Sequence, residues 1–168
     1  MNYHNITHDD MNNGDGLRVV LWVAGCEHHC KDCQNPITWN PADGLPFGLR
    51  DKEELYQELR KDYIAGITFT GGDPLYPDNR ETVDKLMKSV KRDFPNKTIW
   101  IYTGYTWEEI SHDREMAAMM ESVDVLVDGR FMTELKDVTY PWAGSTNQRV
   151  IDVPKTLKKG RVIPHESY

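Results

Sequence analysis

Apolar positions along this chain switch between two periods, and the switches mark its elements. Leu17-Arg18-Val19-Val20-Leu21-Trp22-Val23-Ala24 is nearly continuous in apolar and β-branched residues, which predicts a strand buried on both faces and ended by Gly25-Cys26. From Asp51 to Tyr63, Leu55, Leu59 and Tyr63 recur at helical spacing among charged residues. Val83, Leu86, Met87, Val90 and Phe94 do the same until Pro95 stops a second helix. Between the two helices, Ile64 to Thr70 reads as a strand running into Gly71-Gly72-Asp73-Pro74. Thr98 to Tyr102 reads as another, running into Thr103-Gly104. Thr106-Trp107-Glu108-Glu109 has the form of a capping box opening a helix, which Met116 to Met120 continues, with the methionines as core filler. Val123 to Val127 predicts a fourth strand ending at Asp128-Gly129, and Gln148 to Val153 a fifth. This alternation predicts an α/β fold with a parallel sheet and right-handed crossovers, open or curled toward a partial (β/α) barrel.

The order of these elements sets where chemistry can gather. The loops 26–33, 71–74, 103–104 and 128–129 each follow a predicted strand, so a parallel sheet collects them at its carboxyl edge, where such folds bind ligands. Gly71-Gly72 leaves room for a ligand's polar end at the backbone, and Asp73 offers an anionic acceptor for an ammonium group.

At 168 residues the chain fits one compact domain. Residues 1–10 carry neither a basic n-region nor an apolar core, and no later run has the length of a membrane span, so the expectation is a soluble, cytoplasmic protein with no membrane partner. The net charge of −7 opposes binding to nucleic acid. Lys155, Lys158, Lys159 and Arg161 form a basic tail that reads as a solvated face.

The chemistry is concentrated in Cys26-Glu27-His28-His29-Cys30-Lys31-Asp32-Cys33, which holds all three cysteines of the chain. Three readings fit that spacing. A disulfide would strand one cysteine, and it belongs to exported proteins. Zinc would need His28, His29 or a distant histidine as its fourth ligand. An iron–sulfur cluster would keep one iron open for a small molecule.

Taken with its neighbours, the loop resembles the CxxxCxxC loop of the radical S-adenosylmethionine enzymes, here with His28, Asn35 and Thr38-Trp39 at family positions. Thr70-Gly71-Gly72-Asp73-Pro74-Leu75 is similar to the family's glycine-rich loop. Trp100-Ile101-Tyr102-Thr103-Gly104-Tyr105, Val125-Leu126-Val127-Asp128-Gly129 and Gly144-Ser145-Thr146-Asn147-Gln148-Arg149 resemble segments of the activating-protein branch that serves anaerobic (class III) ribonucleoside-triphosphate reductases. The resemblance spans residues 1–153, read as the radical SAM domain of the partial-barrel type. Residues 154–168 form a tail without an assigned role.

That resemblance implies a [4Fe-4S] cluster on Cys26, Cys30 and Cys33, with S-adenosylmethionine on the open fourth iron. Cofactor contacts are implied at Asp32, Cys33, Gln34, Gly71, Gly72, Asp73, Thr103 and Asp128, the last being either a contact or the start of a turn. No catalytic acid or base is required, because the cofactors carry the hard chemistry. One-electron cleavage of the sulfonium would yield a 5′-deoxyadenosyl radical that abstracts hydrogen from a glycine of the large reductase subunit. A donor such as flavodoxin would supply the electron, and the Trp142–Arg149 segment is the expected docking edge. His28 and His29 read as polar loop residues, not ligands. Asp32 and Gln34 stand where many relatives have Gly and Tyr, so tyrosine stacking on adenine is absent there, and Ala143 stands where relatives often carry Arg. Other functions compatible with the sequence are an activase of another glycyl-radical enzyme, a small radical enzyme acting on a metabolite, and a zinc-binding interaction module.

Overall fold

Residue alternation along the central strands sorts side chains onto two unlike faces of one sheet, and the computed structural model describes this for residues 1–166. The strands are β1 (Asn2–Asp10), β2 (Leu17–Val23), β3 (Leu45–Pro46), β4 (Ile64–Gly71), β5 (Thr98–Tyr102), β6 (Val125–Asp128) and β7 (Arg149–Asp152). They hydrogen-bond in the order β3-β1-β2-β4-β5-β6-β7. On one face Val19, Leu21, Val23, Ile67, Phe69, Ile99, Ile101, Leu126 and Ile151 join the main core. The helices α1 (Leu49–Leu59), α2 (Arg80–Asp93), α3 (Trp107–Ser111) and α4 (Arg114–Met119) cover that face through Leu55, Leu59, Val83, Leu86, Met87, Val90, Ile110 and Met116. The opposite face carries Trp100, Val125 and Val127, packed against Tyr102, Trp142, Ala143 and Val150.

Arg18 also lies on the opposite face, fully buried. Its guanidinium donates to Thr68 Oγ1, Thr98 Oγ1 and the carbonyls of Asp15, Ile67 and Thr98. Burial pulls its pKa down to about 10. This satisfied arginine is why an almost unbroken apolar run can hold one cation without breaking the strand.

The sheet is mixed, which corrects the parallel sheet expected from the alternation. β2, β4, β5 and β6 are parallel, whereas β1 pairs antiparallel with β2, and β7 antiparallel with β6. Between β6 and β7 the chain has only a 3-10 turn at Thr133–Leu135, so no crossover helix brings it back to the start of the sheet and it returns in the opposite sense. β1 escapes the apolar pattern because most of its residues are polar. Only Tyr3 and Ile6, with Met1 before them, pack on the core.

Two helix expectations also shift. The helix ends at Leu59, leaving Tyr63 57 % exposed. The segment after Thr106 breaks in two because the Asp113 side chain accepts from Met116 N at 2.9 Å and opens a fresh helix. The Thr106 capping box forms as read, with Thr106 Oγ1 accepting from Glu109 N and Glu109 Oε1 accepting from Thr106 N, both at 3.1 Å. Met116, Met119 and Met120 are core residues. Among the described residues, no helix is long and apolar enough to cross a membrane.

Candidate cluster and cofactor site

Because β2, β4, β5 and β6 run parallel, their carboxyl ends bring the cysteine loop, the glycine loop, Thr103-Gly104 and Asp128-Gly129 to one edge. The loops interlock through backbone: Gly25 N donates to Thr38 O at 2.7 Å, Cys26 N to Trp39 O at 3.1 Å, Gly72 N to Val23 O at 2.8 Å and Asp73 N to Gly25 O at 2.7 Å. The glycines answer to that crowding. Gly71 has φ +103°, and a Cβ there would lie 2.8 Å from both N and O of Val23. A Cβ on Gly72 would lie 2.5 Å from Gly25 O and 2.9 Å from Thr38 O. The room left by these two residues is taken by the chain's own carbonyls.

Cys26, Cys30 and Cys33 are free, half-buried thiols that line one pocket of about 120 Å3 with Gly71, Gly72, Asp73, Thr103 and Gly104. Burial pushes the Cys26 thiol up to about 11 and also raises Cys30. Backbone groups of His28 and His29 at Cys26, and of Phe131 at Cys30, act in the opposite sense. Among the described residues, no three His, Cys, Asp or Glu side chains are disposed to hold a single ion. Three thiols lining one pocket and met by backbone groups are a donor set that a cluster, whose ligands sit on separate irons, can use. The donor set fits: three soft ligands and no fourth cysteine in the chain.

A larger hollow of about 490 Å3 adjoins this pocket, sharing Cys33, Tyr102, Phe131 and Gln148 with it. Its walls include Trp22, Gln34, Thr70, Tyr140, Trp142 and Gly144, on the sheet face that the helices leave free.

The expected site residues divide into two groups. Cys33, Gln34, Gly71, Gly72, Asp73 and Thr103 line one or both cavities. Asp32 and Asp128 line neither. Asp32 sits at φ +58° with its carboxylate accepting from Thr133 Oγ1 at 2.8 Å, a left-handed position that aspartate tolerates. Asp128 is 1 % exposed, and its oxygens accept from Trp107 N at 2.7 Å and from Arg149 N, Nε and Nη2 at 3.1, 3.1 and 2.6 Å. That carboxylate, followed by Glu108, raises the pKa of Arg149.

Asp73 is equally occupied. It is 1 % exposed and accepts from Leu75 N at 2.8 Å, Thr103 Oγ1 at 2.9 and 3.0 Å and Gly104 N at 3.0 Å, with His28 Nε2 at 2.7 Å. His28 therefore faces inward, and His29 stacks on Trp39 with ring centroids 4.5 Å apart. In the Trp142–Arg149 segment, Gln148 Oε1 accepts from Gly144 N and Ser145 N while its Nε2 donates to Gly129 O at 2.9 Å. Its amide braces the loops and does not face outward.

Tyr102, Phe131 and Trp22 are lining residues that the sequence reading did not single out. Alternation puts Trp22 and Tyr102 on the free face of their strands, a signal present in the sequence, whereas Phe131 lies in an aperiodic loop with no signal at all.

Comparison with known proteins gives a family. The family model described as a 4Fe-4S single cluster domain matches residues 12–151. The anaerobic ribonucleoside-triphosphate reductase-activating protein of Enterobacteria phage T4 is 46 % identical over 150 residues, covering 89 % of this chain and 93 % of that protein. The proteins of the same name from Escherichia coli K12 and Pasteurella multocida are 41 % and 39 % identical, covering 89 % and 88 % of this chain and 97 % and 95 % of theirs. With its three thiols around one pocket and these relatives along nearly its whole length, the chain belongs to the family of anaerobic ribonucleoside-triphosphate reductase-activating proteins.

Proposed function

We propose that this chain is the activase of an anaerobic ribonucleoside-triphosphate reductase, installing a glycyl radical on its large subunit with a [4Fe-4S] cluster and S-adenosylmethionine. The observation that carries the reading is the three-thiol pocket opening into a hollow large enough for a further small molecule. When bound, the two cofactors supply one-electron cleavage of a sulfonium and so a radical able to take hydrogen from a glycine Cα. Cys26, Cys30 and Cys33 hold the cluster.

Gly71, Gly72 and Thr103, which line the thiol pocket, would border the methionine end. Because the Asp73 carboxylate is saturated by internal donors, the loop backbone is what remains to accept the ammonium group. Gln34, at the wall of the hollow, would border the adenine end, and Asp32 and Asp128 support the loops around it. The half-buried Trp22, Tyr102 and Phe131 keep water away from the radical. Helices on one sheet face and a hollow on the other support a sheet curled around the site, as in a partial barrel. The protein works in the cytoplasm and takes its electron from a donor such as flavodoxin.

Anaerobic reconstitution tests this. The expected result is about four irons and four sulfides per chain, reductive cleavage of S-adenosylmethionine to methionine and 5′-deoxyadenosine, and a glycyl-radical EPR signal once the reductase is added. Full loading with zinc and no cleavage would overturn it.

A further inference from the structure

Three loops that meet at the pocket are joined by one buried pair, His28 and Asp73, whose side chains are 4 % and 2 % exposed and 2.7 Å apart. Asp73 belongs to the glycine loop, and its carboxylate also accepts from Thr103 Oγ1 and Gly104 N of the loop after β5. His28 belongs to the cysteine loop, between two of the three thiols. Its ring packs edge-on against Tyr105 with centroids 4.6 Å apart, and the Tyr105 hydroxyl donates to Glu27, the residue before it. A Cβ built on Gly104 would run into the His28 ring, so the ring sits directly on this glycine. The ring of this histidine lines the thiol pocket, and its hydrogen bond and ring contact tie the cysteine loop to the loops after β4 and β5.

We propose that His28 is a positioning residue: through Asp73 it fixes the cysteine loop relative to the glycine loop, and so sets the distance between the cluster and the seat of S-adenosylmethionine. The proposal rests on the reading given under Proposed function. It predicts that cluster content and cofactor affinity separate. A cluster needs only the three thiols, whereas the cofactor must meet the cluster and the glycine loop together.

The test uses His28→Phe, which keeps the ring packing and removes the bond, His28→Gln, which can restore a donor to Asp73, and Gly104→Ala, which displaces the ring without touching it chemically. In metal-free protein, hydrogen exchange at residues 26–33 should rise on the order of tenfold in His28→Phe. After reconstitution, iron content should match the wild type, while the S-adenosylmethionine concentration needed to shift the EPR spectrum of the reduced cluster rises about tenfold in His28→Phe and Gly104→Ala and returns to within about threefold in His28→Gln. Unchanged affinity in His28→Phe overturns the proposal. Equal loss of iron in all three variants also overturns it, by making His28 a support of the cluster loop alone. If the wild-type spectrum itself ignores S-adenosylmethionine, the functional reading fails, and the exchange data still decide whether the pair joins the loops.

Discussion

In the metal-free chain, burial pushes the Cys26 thiol up to about 11, so at neutral pH this residue is protonated and slow to react. A thiol raised that far holds on the order of a hundredfold less thiolate at mildly alkaline pH than a free cysteine does, and alkylation by iodoacetamide should therefore be at least about tenfold slower at Cys26. The rate should keep climbing with pH up to about 11. Peptide mapping of timed reactions checks this, and a rate equal to that of free cysteine would contradict the burial argument. Metal binding must displace that proton. The three cysteines were legible in the sequence because their spacing is local. The occupation of Asp73 and Asp128 was not, since their partners His28 and Arg149 lie 45 and 21 residues away, and nothing in a short window shows that a carboxylate suited to an ammonium group is already filled.

At the scale of elements, the glycine loop and the cysteine loop behave as one packed unit. Gly72→Val should not weaken cofactor binding alone, because its Cβ would press on the Gly25 carbonyl next to Cys26. The expected outcome is a loss of about 2–4 kcal/mol in urea unfolding together with reduced iron loading; full iron content with normal stability would show that the loops can part. Helix α3 gives a pH signature. Arg130 donates to both carboxylate oxygens of Glu109 at 2.8 and 3.0 Å, holding the acid down at about 2. A depressed carboxylate stabilises the fold above its unfolded value near 4.5, and that contribution disappears as pH falls from 4.5 toward 2. Both side chains are more than 40 % exposed, so screening keeps the contribution below about 1 kcal/mol. Arg130→Ala should flatten the stability profile between pH 4.5 and 2 by that amount, read from denaturant midpoints across the range. The parallel strands and the Thr106 capping box were legible because each has a periodic or local signature. The antiparallel return of β7 was not, because it follows from the absence of a helix in a loop that carries no period.

Across the whole molecule, residues 153–165 cover the β7 end of the sheet although the family resemblance ends near Val153. Asp152 accepts from Lys155 N at 3.0 Å and starts α5 (Val153–Lys159), whose Val153 and Thr156 are buried while Lys155, Lys158 and Lys159 face solvent. Beyond the left-handed Gly160 the chain turns back: Ile163 N donates to Thr156 Oγ1 at 2.9 Å, Asp152 N to Ile163 O at 2.8 Å and His165 N to Val150 O at 2.8 Å. These bonds run along β7, at one end of the sheet order. His165 then sets its ring edge-on to Trp100, centroids 5.2 Å apart, and its Nε2 against Asp15 at 2.6 Å, joining the tail to the β1–β2 loop on the face that also carries Arg18. Truncation after Gly160 removes the Ile163 and His165 partners at once and uncovers the His165 side of Trp100 and part of the β7 backbone. The expected cost is about 2–4 kcal/mol of stability, from several lost hydrogen bonds and newly wetted aromatic surface. Cysteine ligation is untouched by the cut, so whatever truncated protein stays folded should load iron as the full chain does. Equal urea midpoints for the two forms would mean that the tail only rests on the sheet. A stable truncated protein that fails to load iron would mean that the sheet's far edge holds the cysteine loop in place.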